Sequence, residues 1–78
     1  MEVTIEELKA VLSKTSKSIN VDELEKDIHL TEQGIDSLDM MDYYLNLEEH
    51  YGIQIPDEDA QRLKTLNDFK SYLTEKLK

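Results

Sequence analysis

Ser37 is the residue of this chain whose position best supports chemistry. It follows Asp36 in the segment from Gly34 to Met41, where a flexible glycine precedes a good N-cap residue and an apolar periodic run. Ser37 is therefore predicted to be the first residue of a helix, beside free backbone N–H groups and the positive end of the helix dipole. That setting favours an attached or bound phosphate. The same residue types also cap helices without any further function, so other parts of the sequence have to distinguish the two interpretations.

The other residues with chemical potential do not form a recognisable catalytic or metal-binding pattern. His29 falls in a predicted loop and His50 on the polar face of a predicted helix, and neither accompanies a nucleophile elbow, a Walker loop or zinc-ligand spacing. The acidic run from Asp57 to Asp59 lacks the spacing of an EF-hand. The sequence therefore predicts neither an enzyme nor a specific metal site.

The composition predicts one small acidic domain over residues 1–78. Eighteen acidic residues against nine basic ones give a net charge of −9, which argues against nucleic acid or anionic membranes as partners. Residues 27–61 contain no lysine or arginine, so basic protein surfaces are the expected partners. The chain has no cysteine and shows no signal or membrane-spanning segment. We therefore expect a cytoplasmic protein that acts as a monomer.

Four helices are predicted to position these residues, in an all-α bundle of three main helices and one short helix. The apolar spacing predicts helix one over residues 4–15, helix two over 37–51, a short third helix within 56–63, and a last helix that begins at 65–66. A long loop over 16–36 separates the first two helices, and a loop of this length tends to be functional or held to the core by its own side chains.

Local signals define the ends of these elements. Thr4 and Glu7 have the spacing of a capping box at the start of helix one, and Gly52 is the predicted C-cap of helix two. In the long loop, Val21 to Leu24 suggests a short helical turn. The side chains expected to hold the loop to the core are Leu24, Ile28 and Leu30.

Helix two carries more apolar residues than one buried face requires. At 100° per residue they divide into an aromatic-rich group and a second group made of Leu38, Met41 and Leu45. The aromatic-rich group is the better core candidate, which would leave the second group exposed in line with Ser37 and flanked by acids, as in a docking surface. The alternative is that the long loop crosses the helix and buries both groups.

The sequence resembles the acyl carrier protein family. The resemblance rests on Gly34 to Asp39, Leu47 to Ala60 and Thr65-Leu66, in that order and spacing without gaps, and it extends more loosely over the whole chain. It implies a right-handed bundle in which Ser37 carries 4′-phosphopantetheine through a phosphodiester, donated by coenzyme A. The terminal thiol would hold acyl groups as thioesters, a chemistry that a chain without cysteine has to borrow from a cofactor.

The resemblance also implies partners and an acyl-binding region. The partners are a phosphopantetheinyl transferase and acyl-processing enzymes with basic docking patches, most commonly those of fatty acid biosynthesis. The expected docking residues are Asp36, Leu38, Asp39, Met41, Asp42, Leu45, Glu48 and Glu49. Acyl chains in the family can shelter between helices two, three and four, which makes Tyr44, Leu47, Tyr51, Ile55, Leu63 and Phe69 candidate lining residues. These six are equally explained as simple core.

Three departures from the family pattern leave other functions open. Gln33 precedes the glycine where the family often has leucine, and His50 stands where the family usually has the third acid of the run after Leu47. Tyr43 and Tyr44 replace smaller aliphatic residues and could shorten an acyl cavity. That leaves room for a specialised pathway such as polyketide or aminoacyl loading. An alternative of another class is an unmodified acidic helical adaptor that docks helix two on basic partners.

Overall fold

Four α-helices form in the part of the chain that the computed structural model describes, residues 2–78. They are α1 (Ile5–Thr15), α2 (Ser37–Tyr51), α3 (Asp57–Ala60) and α4 (Leu66–Lys76), and these residues contain no strand. The predicted all-α architecture of three main helices and one short helix is confirmed. Within residues 2–78, no helix combines the length and apolar character that crossing a membrane requires.

The ends of α1 and α2 follow the local signals with one exception. The Thr4 hydroxyl accepts a hydrogen bond from the Glu7 N–H at 3.1 Å, and Asp36 and Gly52 bound α2 as predicted, with Gly52 left-handed at φ 66°. The predicted capping box at α1 is only half formed: Glu7 accepts no hydrogen bond from the Thr4 N–H, and its Oε2 accepts one from the Tyr51 hydroxyl at 3.0 Å. The Glu7 carboxylate thus connects α1 to the end of α2.

Two 3₁₀ turns, Val21–Glu23 and Leu30–Gln33, organise the long loop between α1 and α2. The sequence predicts the first turn but not the second. Leu24 and Leu30 are buried as predicted, whereas Ile28 is 38% exposed, so its predicted role in holding the loop to the core is wrong.

The side chain of Gln33 holds the stretch around Ile28 instead. Its Oε1 accepts a hydrogen bond from the Glu25 N–H at 2.7 Å, and its Nε2 donates to the carbonyl oxygens of Glu25 at 3.0 Å and Ile28 at 2.9 Å. A single amide therefore satisfies three backbone groups that no regular element would pair. Because these bonds position the backbone, the Ile28 side chain does not need to be buried.

The core lies where α1 packs against α2 and α4. Tyr43 of α2 is fully buried, its ring meets Phe69 of α4 edge-on at 5.1 Å, and its hydroxyl donates to the carbonyl oxygen of Leu8 in α1 at 2.9 Å. The aromatic-rich side of α2 is therefore the core side, as predicted. Thr65 and Asp68 form the capping box that starts α4, which fixes the helix that closes this core.

Candidate functional site

Ser37 stands exposed as the first residue of α2, and its neighbours in sequence fix it there. Gly34 adopts φ 94° at the end of the preceding 3₁₀ turn, a conformation that glycine accepts without strain. Ile35 is then buried in the core, and Asp36 Oδ1 accepts a hydrogen bond from the Asp39 N–H at 2.8 Å. A buried residue and a helix cap thus hold the serine that follows them at the surface.

The polar groups at this helix start are available to a ligand. Within residues 2–78, the Ser37 hydroxyl makes no hydrogen bond, and the N–H groups of Ser37 and Leu38 have no protein acceptor. The first N–H groups of a helix lack intrahelical partners and carry the positive end of its dipole. The site therefore combines an exposed hydroxyl oxygen with donors suited to a phosphate.

A cavity of about 260 Å³ opens beside this serine. Leu30 of the second 3₁₀ turn donates its N–H to the carbonyl oxygen of Lys64 at 2.9 Å, which brings the turn against the segment that precedes α4. We call the space the Ser37 cavity; its lining residues are Thr31, Ser37, Met40, Met41, Tyr44 and Lys64. Two methionines and a tyrosine ring give it an apolar wall, and Lys64 is the one cationic residue that borders it.

The side chain of Tyr44 extends from α2 to the segment around α3, beside the Ser37 cavity. Its hydroxyl donates to the carbonyl oxygen of Ala60 at 3.1 Å and lies 3.4 Å from that of Leu63. Its ring lies 5.8 Å from the ring of Phe69. Burial raises the pKa of Tyr44 above its ordinary value, so the phenol stays protonated and remains a donor.

Of the six residues predicted to line an acyl cavity, Tyr44 is the one that borders the Ser37 cavity. Leu47 and Phe69 are fully buried, and Leu63 and Ile55 also belong to the core. The Tyr51 hydroxyl donates a hydrogen bond to the Glu7 carboxylate of α1. The burial of the first four fits the core interpretation, and a role of the five in lining an acyl cavity stays a prediction. The lining residues Thr31 and Lys64 could not be predicted from the sequence, because their proximity to Ser37 arises from loop packing.

The second apolar group of α2 is exposed, which agrees with the first of the two interpretations of the helical arc and excludes the second. Leu38 is 72% exposed, Met41 is 61% exposed and Leu45 is 58% exposed. Three large apolar side chains in a row on one helix face, next to acidic residues, have the composition of an interaction surface. Their docking role stays a prediction.

The acidic residues predicted to dock partners divide into two sets. Asp36 caps α2, Asp39 Oδ2 accepts from the buried Ser16 hydroxyl at 3.2 Å, and Glu48 Oε2 accepts from the Ile55 N–H at 2.6 Å. These three carboxylates have structural partners, of which the sequence predicts the Asp36 cap but not the contacts of Asp39 and Glu48. The other two, Asp42 and Glu49, are exposed, and their carboxylates make no hydrogen bond within the described chain.

Comparisons with known proteins give a consistent result. A protein-family model described as a phosphopantetheine attachment site matches residues 6–73. An acyl carrier protein of Chloroherpeton thalassium is 32% identical and the match covers 97% of this chain and all of that protein. An acyl carrier protein of Bdellovibrio bacteriovorus is 49% identical over a shorter match of 43 residues, which spans 55% of each chain. The solution structure of a butyryl-acyl carrier protein from the actinorhodin polyketide synthase of Streptomyces coelicolor is 25% identical, with a TM-score of 0.83 over 99% of this chain and 93% of that one.

Proposed function

The chain belongs to the acyl carrier protein family, and on that premise we propose that Ser37 is the residue to which 4′-phosphopantetheine is attached. The protein is a carrier and not an enzyme. The observation that supports Ser37 is its exposed and unbonded hydroxyl at the start of α2, which sits beside two N–H groups without protein acceptors.

The residues around Ser37 fit a phosphodiester. The free N–H groups of Ser37 and Leu38 point to the start of the helix, where its dipole favours a negative charge. Lys64 borders the same cavity as Ser37 and supplies a cation in a region otherwise rich in acids. When attached, the cofactor supplies a thiol on a flexible arm, which carries acyl groups as thioesters. A thiol of this kind persists in a reducing compartment, so we propose a cytoplasmic location. We also propose that the carrier acts as a monomer.

Fatty acid biosynthesis is the pathway that we propose first, because it is the commonest setting for the family that the sequence resembles. A specialised pathway is the second candidate. The observation that favours it is Tyr44, which fills space at the Ser37 cavity where smaller aliphatic residues are usual.

The proposed attachment is tested on the unmodified protein by incubation with coenzyme A and a broad-specificity phosphopantetheinyl transferase. We expect the intact mass to increase by one phosphopantetheine, and fragmentation to locate the added mass on Ser37. A protein that gains no mass under conditions that modify another carrier would instead be an unmodified acidic adaptor.

The partners that we propose are the transferase and acyl-processing enzymes with basic docking patches. They would contact the exposed apolar residues Leu38, Met41 and Leu45 together with the free carboxylates of Asp42 and Glu49. Apolar anchors supply binding energy, whereas the surrounding charges guide the encounter.

Reversing Asp42 and Glu49 to lysine is expected to slow modification of Ser37 on the order of 10-fold at low salt, because charge steering dominates the association rate there. The difference should shrink at about 0.5 M salt, since screening weakens exposed charges. Rates of mass gain measure the effect. Reversing Asp22 and Glu23, two exposed acids outside residues 27–61, is the matched control and should leave the rate near that of the wild type. Equal slowing by both pairs would contradict a specific docking role.

A further inference from the structure

We propose that Tyr44 sets the length of the acyl group that this protein can shelter, by closing the Ser37 cavity so that only short acyl groups fit. The proposal rests on the attachment at Ser37 put forward above. It concerns what the residues of this chain do to an acyl group that the attached arm brings back to the protein.

Tyr44 is placed to form the far wall of the cavity. It lies seven residues after Ser37 on α2, which is two helical turns along the same face and a rise of about 10 Å. Between Ser37 and Tyr44, the cavity is lined by Met40 and Met41. The Tyr44 side chain then reaches across to α3, where its hydroxyl donates to the carbonyl oxygen of Ala60 at 3.1 Å. The ring and this hydrogen bond form a bar between the two helices.

The interior beyond this bar is already filled. Leu47 lies one turn further along α2 and is fully buried, as is Phe69, whose ring lies 5.8 Å from that of Tyr44. Leu63 is only 4% exposed. A longer acyl chain would have to displace packed side chains. This displacement costs free energy, because protein interiors are packed about as densely as crystals of small organic molecules. The cavity therefore ends at Tyr44.

The size of the cavity indicates the class of acyl group. An engineered apolar cavity of about 150 Å³ accepts benzene, a ligand of six carbons. The Ser37 cavity of about 260 Å³ is partly bounded by polar residues, namely Thr31, Ser37 and Lys64. By this comparison the whole volume would hold on the order of ten carbons. Because three of its six lining residues are polar, we expect the apolar part to hold an acyl group of roughly six carbons. Longer chains remain outside in solvent.

The experiment compares the thermal unfolding of the protein loaded with butanoyl, hexanoyl or decanoyl phosphopantetheine from the corresponding acyl-coenzyme A. Each buried methylene contributes about 0.8 kcal/mol, which for a domain of this size corresponds to roughly 3–6 °C in Tm. We expect the wild-type Tm to rise from butanoyl to hexanoyl and then to level off. In Tyr44→Val the bar is removed, so Tm should rise further from hexanoyl to decanoyl, on the order of 10 °C.

Tyr72→Val is the matched control, because it makes the same substitution at a half-buried tyrosine whose hydroxyl donates to Asp59 and which does not line the Ser37 cavity. Its profile should level off as in the wild type. The Tm values of the differently loaded forms are compared within one variant. A general loss of stability caused by the substitution therefore lowers all of them alike and does not affect the differences. If Tyr44→Val does not fold, Tyr44→Leu replaces it.

Two results would overturn the proposal: a wild-type Tm that rises as steeply from hexanoyl to decanoyl as from butanoyl to hexanoyl, or an opened variant that gains nothing over the same step. Failure of the underlying function is seen separately, because the intact mass of the wild type would then show no acyl-phosphopantetheine at Ser37 before any unfolding is measured.

Discussion

Replacing Ser37 with alanine is expected to abolish the transfer of phosphopantetheine to this protein. The exposed Ser37 hydroxyl is the group that would enter the phosphodiester, and alanine offers no oxygen in its place. The expected loss is complete and not partial, because no neighbouring residue of α2 can supply the missing bond: the next residue, Leu38, is apolar. Intact mass after incubation with coenzyme A and the transferase measures the result.

The same variant should fold as the wild type does. The Ser37 hydroxyl makes no hydrogen bond within the described chain, and the helix cap is formed by Asp36 Oδ1 and the Asp39 N–H, which the substitution leaves in place. Surface substitutions of this kind usually change the free energy of unfolding by less than about 0.5 kcal/mol. Urea unfolding of the unmodified proteins therefore distinguishes loss of the attachment atom from loss of the fold.

Ser18→Ala is the control for loss of an exposed serine elsewhere, and it should be modified at the wild-type rate. If Ser37→Ala still gained one phosphopantetheine, the attachment would lie at another residue, and the interpretation of the Ser37 cavity would fail with it. Fragmentation of the modified variant would then identify that residue.

The helix boundaries could be predicted from the sequence because they depend on contacts within a few residues. The start of α2 needs only Asp36 and the N–H of Asp39, and its end needs only a left-handed glycine at position 52. Helical periodicity also places Leu38, Met41 and Leu45 on one face, but it left open whether the long loop would bury them. Their exposure is seen only in the structure.

The details of the site depend on residues that are distant in the chain, and periodicity carries no information about them. Lys64 borders the Ser37 cavity because its carbonyl oxygen accepts the Leu30 N–H, a contact between two loops. The family resemblance implies that Glu48 is a docking acid, which stays a prediction, but nothing in the sequence indicated that its carboxylate accepts the Ile55 N–H across the following loop. Such contacts are decided by tertiary packing, which also explains why Ile28 is exposed while Gln33 positions the loop around it.

Replacing Tyr43 with alanine is expected to destabilise the fold strongly. Replacing this fully buried residue with alanine removes a ring that packs edge-on against Phe69 at 5.1 Å, and such changes cost about 3–5 kcal/mol. Small domains have a total stability of about 5–15 kcal/mol and this chain is near the lower size limit, so Tyr43→Ala should be largely destabilised or unfolded at 37 °C. Tyr43→Phe, which keeps the ring and loses only the hydrogen bond to the Leu8 carbonyl oxygen, should cost about 1 kcal/mol. Urea midpoints of the three proteins at pH 8 measure this order.

The difference between the wild type and Tyr43→Phe should also depend on pH. Burial, and secondarily the nearby Tyr51, raise the pKa of the Tyr43 phenol far above its ordinary value of 10.0. Below about pH 9 the phenol is protonated in both the folded and unfolded states, so its contribution to stability is fully present. Above pH 10 the unfolded chain loses this proton while the folded chain keeps it, which favours unfolding.

Tyr51 and Tyr72 add to the alkaline loss in both proteins, because burial first and then hydrogen bonds to Glu7 and Asp59 raise each pKa to about 12. The Tyr43 contribution is the part that the phenylalanine variant lacks. The 1 kcal/mol advantage of the wild type should therefore shrink between pH 9 and pH 11 and then reverse, since a phenylalanine has no proton to lose. Urea unfolding across this range measures the change, and a constant difference would show that Tyr43 ionises in the folded protein as readily as in the unfolded chain.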